Sequence, residues 1–294
     1  MGMTRRGIAA AGVALAMACT VAAPAAAEPA MWAVRDADST IYLFGTAHAV
    51  RRDTGWKTKK IDAAMKASRQ LWLEISDDLA TSQATMAVIL KKYGLDQTKP
   101  LSQKLTEAQR VRLAAVLKPY GMPMAQLEPM RPWLAAVTLG TLPFVKAGLD
   151  PVAGADRTLR IVAVAEKDQI HGFETPEQQI RFLADFSEAE QLAFLDSAMQ
   201  EAEKGPAELT TMATAWENGD VPTLARIVTT DMKQESPLLY DKLLVARNID
   251  WAGRIKTMLA GKGTIFVAVG VGHLVGPDSV QAQLAKSGIN AVRL

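Results

Sequence analysis

The sequence predicts an α/β fold in which a mixed central sheet is assembled from distant segments and large helical insertions form a cap. Apolar runs with strand composition cluster in residues 31–75, 169–174 and 264–294. The two stretches between these clusters have helical periodicity almost throughout. Because separated strands must share one core, we expect the helical blocks to cover the sheet.

The first strand cluster predicts both strand directions. Residues 31–34 and 40–44 flank a polar turn with the composition of a hairpin connection. A helix is predicted over 57–68 and a strand over 70–75, ended by Ser76-Asp77-Asp78. Strand, helix and strand in succession form a βαβ unit, which predicts a parallel pair.

Helix starts are marked by a Ser or Thr followed three residues later by Glu or Gln, the sequence of a capping box. The pairs are Thr106 with Gln109, Thr175 with Gln178 and Ser187 with Glu190. A long helical element ending near residue 260 carries Arg247 and Asn248. The last strands are predicted at 264–269 and 289–293, joined by a helix after Pro277.

Residues 1–27 have the pattern of an export signal. Arg5 and Arg6 precede an apolar run, and Ala25-Ala26-Ala27 offers small residues for cleavage before Glu28. The run is too short for a spanning helix. We therefore expect an exported protein, periplasmic or secreted, with one domain over 28–294. Cys19 is the only cysteine, so the mature chain is predicted to have no disulfide.

Charge and hydropathy exclude two classes of partner. The signal contains two arginines and no acidic residue, so its removal leaves basic and acidic residues equal in number. A net charge near zero predicts no nucleic-acid partner. No second apolar run reaches spanning length, which predicts no membrane span. The oligomeric state stays open.

Imidazoles and carboxylates stand at the ends of four predicted strands. Gly45-Thr46-Ala47-His48 follows one strand, Gly270-Val271-Gly272-His273 follows another, and Glu74 and Glu174 lie at the ends of two more. In open α/β sheets, ligands bind beyond the carboxyl ends of the strands. Glycine allows the sharp turn that brings each histidine onto a loop. We therefore expect these four side chains to form one site.

The residue types leave two chemistries open. Imidazole and carboxylate suit a divalent metal such as manganese, cobalt, iron or zinc. They equally suit general acid–base work without a metal, because histidine titrates near neutral pH. Glu74 follows Trp72 and Leu73 in an apolar run, where a buried carboxylate needs a partner. The sequence contains neither an H-E-x-x-H helix nor a G-x-S-x-G elbow.

Other polar residues have structural interpretations. Glu174 suits the start of the helix behind it through the helix dipole. Asp156 is interpreted as a helix cap, and His171, inside a strand, as structural or solvent-facing. Spacing alone assigns no role to Arg247 and Asn248.

Ordered motifs over nearly the whole mature chain resemble the TraB/GumN family. They are W-x-V-x(5)-T-I-Y-L-F-G-T-A-H, L-W-L-E, R-P-W, G-A-D, G-F-E-T-P-E-Q-Q, R-N and F-V-A-V-G-V-G-H-L-V-G-P-D-S-V. This family is related to the Tiki metalloproteases, which cleave peptides near their N-termini. More remotely it resembles the erythromycin-esterase and ChaN-like folds.

The resemblance implies a metal-dependent hydrolase acting on a peptide or small-molecule substrate. It implies metal ligation by His48, His273 and Glu74, with a divalent ion whose identity stays open. The implied catalytic candidates are Glu74, Glu174, Arg247 and Asn248. Because fold and family do not fix chemistry, two alternatives stay open: a non-catalytic periplasmic binding protein that sequesters a peptide, metal or haem, and an accessory protein in polysaccharide export.

Overall fold

The computed structural model describes residues 28–76 and 79–294, and for residues 79–83 it describes the backbone alone. The predicted export signal over residues 1–27 and the Asp77-Asp78 part of the predicted strand ending lie outside the described residues. Within the described ranges, no helix is both long and apolar enough to cross a membrane.

The described part of the chain forms one mixed sheet of six strands, which confirms the predicted α/β class. The strands are β1 Met31–Arg35, β2 Ser39–Thr46, β3 Gln70–Ile75, β4 Gln169–Glu174, β5 Gly263–Gly270 and β6 Val292–Arg293. Their order across the sheet is β4-β3-β5-β2-β1-β6. β1 is antiparallel to both β2 and β6, whereas β2, β5, β3 and β4 run parallel.

The predicted hairpin is confirmed as β1 and β2, but the predicted βαβ unit is not a pair of neighbours. β2 and β3 run in the same direction with β5 between them, and Phe266 of β5 pairs with Tyr42 on one side and Leu71 on the other. β5 takes the centre because its apolar run is buried on both faces, as expected of an inner parallel strand. The last strand is shorter than the predicted 289–293 and contains two residues.

Helices account for most of the remaining described chain. The α-helices are α1 Lys59–Ala67, α2 Leu79–Tyr93, α3 Glu107–Leu117, α4 Pro132–Lys146, α5 Ala155–Glu166, α6 Pro176–Ala184, α7 Glu188–Lys204, α8 Ala207–Glu217, α9 Val221–Ala225, α10 Met232–Glu235, α11 Pro237–Tyr240, α12 Ala246–Leu259 and α13 Val280–Ala285. Short 3₁₀ segments lie at Leu101–Gln103, Lys118–Tyr120, Met124–Gln126, Pro151–Ala153 and Val271–Leu274. Two π-helical segments, Arg226–Asp231 and Asp241–Val245, precede α10 and α12.

Helices cover both faces of the sheet because side chains alternate along each strand. On β5, Phe266 and Ala268 pack in a core with residues of α1, α5, α8 and α9. Ile265, Val267 and Val269 face the opposite side and pack with residues of α12 and α13. The sheet is therefore the middle layer of three.

A separate helical core confirms the predicted cap. Leu113 and Leu117 of α3, Leu139 of α4, and Leu195 and Met199 of α7 are buried together in it. The sequences of these helices come from the two long blocks between the strand clusters. They bury their apolar faces against one another rather than on the sheet.

All three predicted capping boxes are present. In the first, Thr106 Oγ1 accepts a hydrogen bond from the backbone N–H of Gln109 at 3.3 Å. The Gln109 side chain accepts one from the backbone N–H of Thr106 at 2.9 Å. The predicted helix over 57–68 begins later, at Lys59, because Thr58 is its N-cap.

We predict that Thr106→Ala lowers the free energy of unfolding by ~1 kcal/mol, because the start of α3 loses its side-chain acceptor. Urea titration of the purified protein measures the change. Thr106→Ser retains the hydroxyl and serves as the matched control. Equal destabilisation by Ala and Ser would show that the hydroxyl does not stabilise this helix.

Candidate functional site

Four parallel strands end at one edge of the sheet and bring the predicted residues together there. The last pair between β2 and β5 is Thr46 with Gly270, so both strands end at the same level. β3 lies beside β5 and carries Glu74, and Ile75 of β3 pairs with Glu174 of β4. The loops that carry His48 and His273 therefore leave the sheet beside the two glutamates. This convergence was expected from the sequence.

The guanidinium of Arg247 lies at the centre of this edge. Its Nε and Nη2 donate to the two oxygens of Glu174 at 2.6 and 2.9 Å. Nη2 also donates to Glu74 Oε2 at 2.8 Å, and Nη1 donates to the backbone oxygen of Leu243 at 3.0 Å. Nη1 lies 3.1 Å from His273 Nε2. A guanidinium has five N–H donors, and these five contacts give each of them a protein acceptor.

Glu174 and two aromatic rings hold this guanidinium from its other sides. Its charge centre lies 4.7 Å from the ring centroid of Trp251 and 5.4 Å from that of Phe182. Burial raises the pKa of Glu174 despite its paired hydrogen bonds with Arg247. A bidentate contact between arginine and carboxylate fixes direction as well as distance. Arg247 is therefore held in one orientation.

Hydrogen bonds hold Glu74 at both carboxylate oxygens. Oε1 accepts from the backbone N–H of Gly270 at 2.8 Å. Oε2 accepts from Gln179 Nε2 at 2.9 Å, in addition to Arg247. The carboxylate that the sequence left without a partner thus has three donors, one from each of β5, α6 and α12. Gln179 ends the G-F-E-T-P-E-Q-Q motif of the resemblance, but no role was predicted for it from the sequence.

The surroundings of Glu74 keep its carboxyl ionised. Burial by itself favours the uncharged acid, but the charge interactions with His273, Arg247 and His48 and the Gly270 hydrogen bond outweigh it. The pKa of Glu74 therefore lies below its usual range. Because Arg247 stays charged throughout the working pH range, we attribute the ionised state at neutral pH mainly to its guanidinium.

Asn248 fixes the tautomer of His273. The Asn248 amide donates from Nδ2 to the backbone oxygen of Asp278 at 2.9 Å, so its Oδ1 is an acceptor. His273 Nδ1 lies 2.7 Å from this Oδ1 and must carry the proton. The lone pair is then on Nε2, which lies 3.8 Å from Glu74 Oε1. Burial lowers the pKa of His273 to about 3, so the ring is neutral at pH 7.

Asp156 plays the corresponding part for His48. The Nδ1 atom of His48 lies 3.3 Å from Asp156 Oδ1, and this hydrogen bond raises the pKa of His48 to about 9. The His48 side chain is 64% exposed, so it forms the solvent side of the site. Asp156 was interpreted from the sequence as a helix cap. In the structure Gly154 is the N-cap and Asp156 lies in the first turn of α5.

Gly270 marks the point at which these groups meet. A methyl group in the Cβ position of Gly270 would lie 3.0 Å from Glu74 Oε1, 3.7 Å from His48 Nε2 and 3.8 Å from His273 Cδ2. The backbone of Gly270 is in a conformation open to any residue, with φ −48° and ψ 133°. The glycine is therefore required by the space between the side chains.

A cleft of about 370 Å³ opens beside these residues. Its lining includes His48, Glu74, Asp156, Gln179 and Arg157. His171, which was interpreted from the sequence as structural or solvent-facing, lies in β4. Its ring stacks on Trp72, with 4.8 Å between the ring centroids. His273, Arg247 and Asn248 are buried behind the cleft.

The donor set suits a divalent metal, although it is not assembled into a cage. Each histidine has its Nδ1 held by a side-chain oxygen, and His48 Nε2 and His273 Cδ2 lie near Gly270. Second-shell groups orient metal-ligating imidazoles in this way. Across residues 28–76 and 79–294, no group of three or more His, Asp or Glu side chains is arranged to hold an ion. The Arg247 N–H near His273 Nε2 occupies the lone pair that a metal would use.

The protein is thus a mixed α/β protein with a buried Arg–Glu–His centre at the carboxyl edge of its sheet. Two G-x-x-H loops flank this centre. The TraB/PrgY/gumN family matches residues 30–293, so the chain belongs to this family. It is similar to proteins named "Uncharacterized protein YbaP" from Escherichia coli (strain K12) and Shigella flexneri. Each is 25% identical over 243 residues, which cover 83% of this chain and 87% of the relative. No solved structure matches the chain.

We predict that the pKa values of the two histidines are shifted in opposite directions in chelator-treated protein. The pKa of His273 is about 3 against an ordinary 6.5, so His273 stays neutral with its proton on Nδ1. A lowered pKa means that this histidine stabilises the fold above pH 6.5, and that its contribution is lost as pH falls from 6.5 toward 3. His48 should titrate well above 6.5. Imidazole ¹⁵N NMR measures both, and titration of the two rings together near 6.5 would contradict the assignment.

Proposed function

We propose that this protein is a metal-dependent hydrolase that acts on peptide bonds at the Arg247-centred edge of the sheet. The proposal depends above all on the paired orientation of His48 and His273. Each has its Nδ1 on a side-chain oxygen, while His48 Nε2 and the ring of His273 lie near the same point beside Gly270. Glu74 Oε1 is the third donor at that point.

His48 Nε2, His273 Nε2 and Glu74 Oε1 are the atoms that would hold the ion, and His48 would have to release its Nε2 proton on binding it. Two imidazoles and a carboxylate suit manganese, cobalt, iron or zinc. Such an ion polarises a carbonyl and lowers the pKa of bound water toward neutrality. Asp156 and Asn248 would set the orientation of the two imidazoles.

Glu74 has two possible roles in this proposal. Ionised at neutral pH, it can complete the ligand set, or it can accept a proton from the attacking water as a general base. Its Oε2 is held by Gln179 and Arg247, whereas Oε1 accepts one backbone hydrogen bond and lies nearest to both histidines. The reacting oxygen would therefore be Oε1.

We assign Arg247 and Glu174 to positioning Glu74. All five N–H groups of Arg247 have protein acceptors, and its orientation is fixed by the bidentate contact with Glu174. Direct contact of Arg247 or Asn248 with a substrate stays a prediction of the family resemblance.

A peptide substrate is supported by the resemblance to the Tiki metalloproteases and by the form of the cleft. The cleft of about 370 Å³ is lined by side chains from β2, β3, α5 and α6, and His48 stands exposed at its edge. A site of this size accepts a small ligand or a short part of an extended chain.

The proposal predicts that His48→Ala and His273→Ala fail in the same way. Each variant should lose tight binding of manganese or cobalt and with it the cleavage of mixed peptides, measured by metal analysis and mass spectrometry. Residues that act as one unit are strongly non-additive, so the double variant should be no worse than either single one. His171→Gln, outside the centre, is the matched control.

Glu74→Gln separates its two possible roles. Loss of metal binding indicates a ligand, whereas retained metal with turnover reduced by about 10²–10⁴-fold indicates a general base.

Asp156→Asn should weaken metal binding by about 10–100-fold, as expected when the orienting partner of a ligating histidine is changed. Normal metal binding by both histidine variants would refute the metal site. Peptide binding without any cleavage would favour the binding-protein alternative.

We further propose that the protein is exported and starts at Glu28 after removal of residues 1–27. The support is the charged, apolar and small-residue pattern of that segment. Intact-mass measurement of protein recovered from outside the cytoplasm should give the mass of residues 28–294. A mass that includes residues 1–27, or a lipid on Cys19, would contradict this proposal.

A further inference from the structure

The cleft beside the Arg247-centred site is lined by polar groups that the proposed metal chemistry does not use. Leu73 of β3 and Ala268 of β5 are paired neighbours, and both pack in the core on the α5 face of the sheet. They line the cleft together with Thr46, at the end of β2, and Arg157 of α5. The cleft therefore combines an apolar part with a hydroxyl and a guanidinium.

The hydroxyl of Thr46 is buried without a protein partner. Thr46 is 1% exposed, and no described residue forms a hydrogen bond with its Oγ1. Thr46 lies two residues beyond Phe44, whose side chain packs in the core on the α5 face, so the Thr46 side chain is on that face too. A buried hydroxyl without a partner is costly. Its unused hydrogen-bonding capacity therefore indicates a bound molecule in the cleft.

Arg157 supplies a positive charge to the same cleft. It is half-buried near the start of α5, and within residues 28–76 and 79–294 it has neither an ion pair nor a hydrogen bond. The other charged side chains of the lining are engaged: Arg160 donates to the backbone oxygens of Ile75 and Ser76, His48 pairs with Asp156, and Glu74 pairs with Arg247.

A backbone contact fixes the start of α5 to the loop that follows Thr46. The N–H of Ala155 donates to the backbone oxygen of Ala47 at 2.9 Å. Thr46 directly precedes Ala47, and Arg157 follows Ala155 by two residues in the first turn of the helix. One small molecule in the cleft can therefore contact both the hydroxyl and the guanidinium.

We propose that this cleft binds a carboxylate of the peptide substrate, with Arg157 paired to the carboxylate and Thr46 Oγ1 donating to an oxygen of the same molecule. A guanidinium matches the two oxygens of a carboxylate. One unpaired guanidinium balances one carboxylate, whereas a phosphate group carries a charge of about −1.5 to −2 at pH 7. The peptide class rests on the hydrolase proposed above, but the binding itself requires neither metal nor turnover.

The first test is an NMR titration of chelator-treated, ¹⁵N-labelled protein with three acetylated tripeptides. Trialanine has a C-terminal carboxylate, alanine–glutamate–alanine amide has one in a side chain, and trialanine amide has none. At least one carboxylate peptide should bind about fivefold or more tightly than the neutral amide, and the peptide that does so identifies the source of the carboxylate. Absence of binding, equal binding of all three, or tighter binding of inorganic phosphate than of any peptide overturns the proposal.

This test separates the binding of a carboxylate from the hydrolytic activity. Normal metal binding by His48→Ala and His273→Ala would refute the metal site and leave the peptide preference intact. Equal binding of the three peptides, with metal binding lost in both histidine variants, would refute the binding of a carboxylate alone.

Arg157→Gln should abolish the preference for a carboxylate, so that the preferred peptide binds no more tightly than the neutral amide. Arg35→Gln removes an exposed positive charge at the end of β1, outside the cleft, and is the matched control that should retain the preference. A preference that survives Arg157→Gln, or that both variants lose, overturns the assignment to Arg157.

Thr46→Val distinguishes a ligand-binding hydroxyl from a structural one. Valine keeps the shape and removes an unpaired polar group, so the melting temperature of the free protein should stay the same or rise. Binding of the preferred carboxylate peptide should weaken by about two- to tenfold, the loss of one hydrogen bond. Thr46→Ser retains the hydroxyl and should restore the binding. A lowered melting temperature or unchanged binding in Thr46→Val overturns the role of Thr46.

Discussion

The guanidinium of Arg247 joins four elements that are far apart in the sequence. It comes from α12 and contacts Glu74 of β3, Glu174 of β4 and His273 after β5. A buried cation is tolerated only when its donors are paired, and all five of these are. Removing one partner of such a buried pair typically costs about 3–5 kcal/mol. The positions of Glu74 and His273 thus depend on a contact that holds the edge of the sheet together.

The register of the parallel strands explains why two histidines from opposite ends of the chain meet. Thr46 pairs with Gly270 at the end of β2 and β5, so the G-x-x-H loops start level with each other. Gly45 lies against Val271, and a Cβ there would come within 2.8 Å of Val271 Cγ2. The glycines that begin the two motifs therefore permit the loops to pack closely, and the space beside Gly270 remains free for a ligand.

The sequence predicted the elements better than their neighbours. Strand runs and capping boxes follow from local patterns, because each depends on residues close in the chain. The convergence of His48, Glu74, Glu174 and His273 follows from the rule that the carboxyl ends of such strands form one binding edge. The place of β5 between β2 and β3 does not, since any apolar strand can occupy the centre of a parallel sheet. Contacts made by single polar side chains across the fold were equally hidden. Asp156 resembled a cap, and Gln179 belonged to a quoted motif without an assigned role.

The charges around Gly270 bear on what the Arg247-centred site can hold. With both glutamates ionised, Glu74 and Glu174 outweigh Arg247 by one negative charge, and His273 is neutral. Protonated His48 balances Asp156. The remaining negative charge favours a cation over an anion as occupant. A cation bound at His273 Nε2 would have to replace the Arg247 N–H there, while the contact with Glu174 could keep the guanidinium in place. Arg247 and a metal ion are therefore alternative partners for one lone pair.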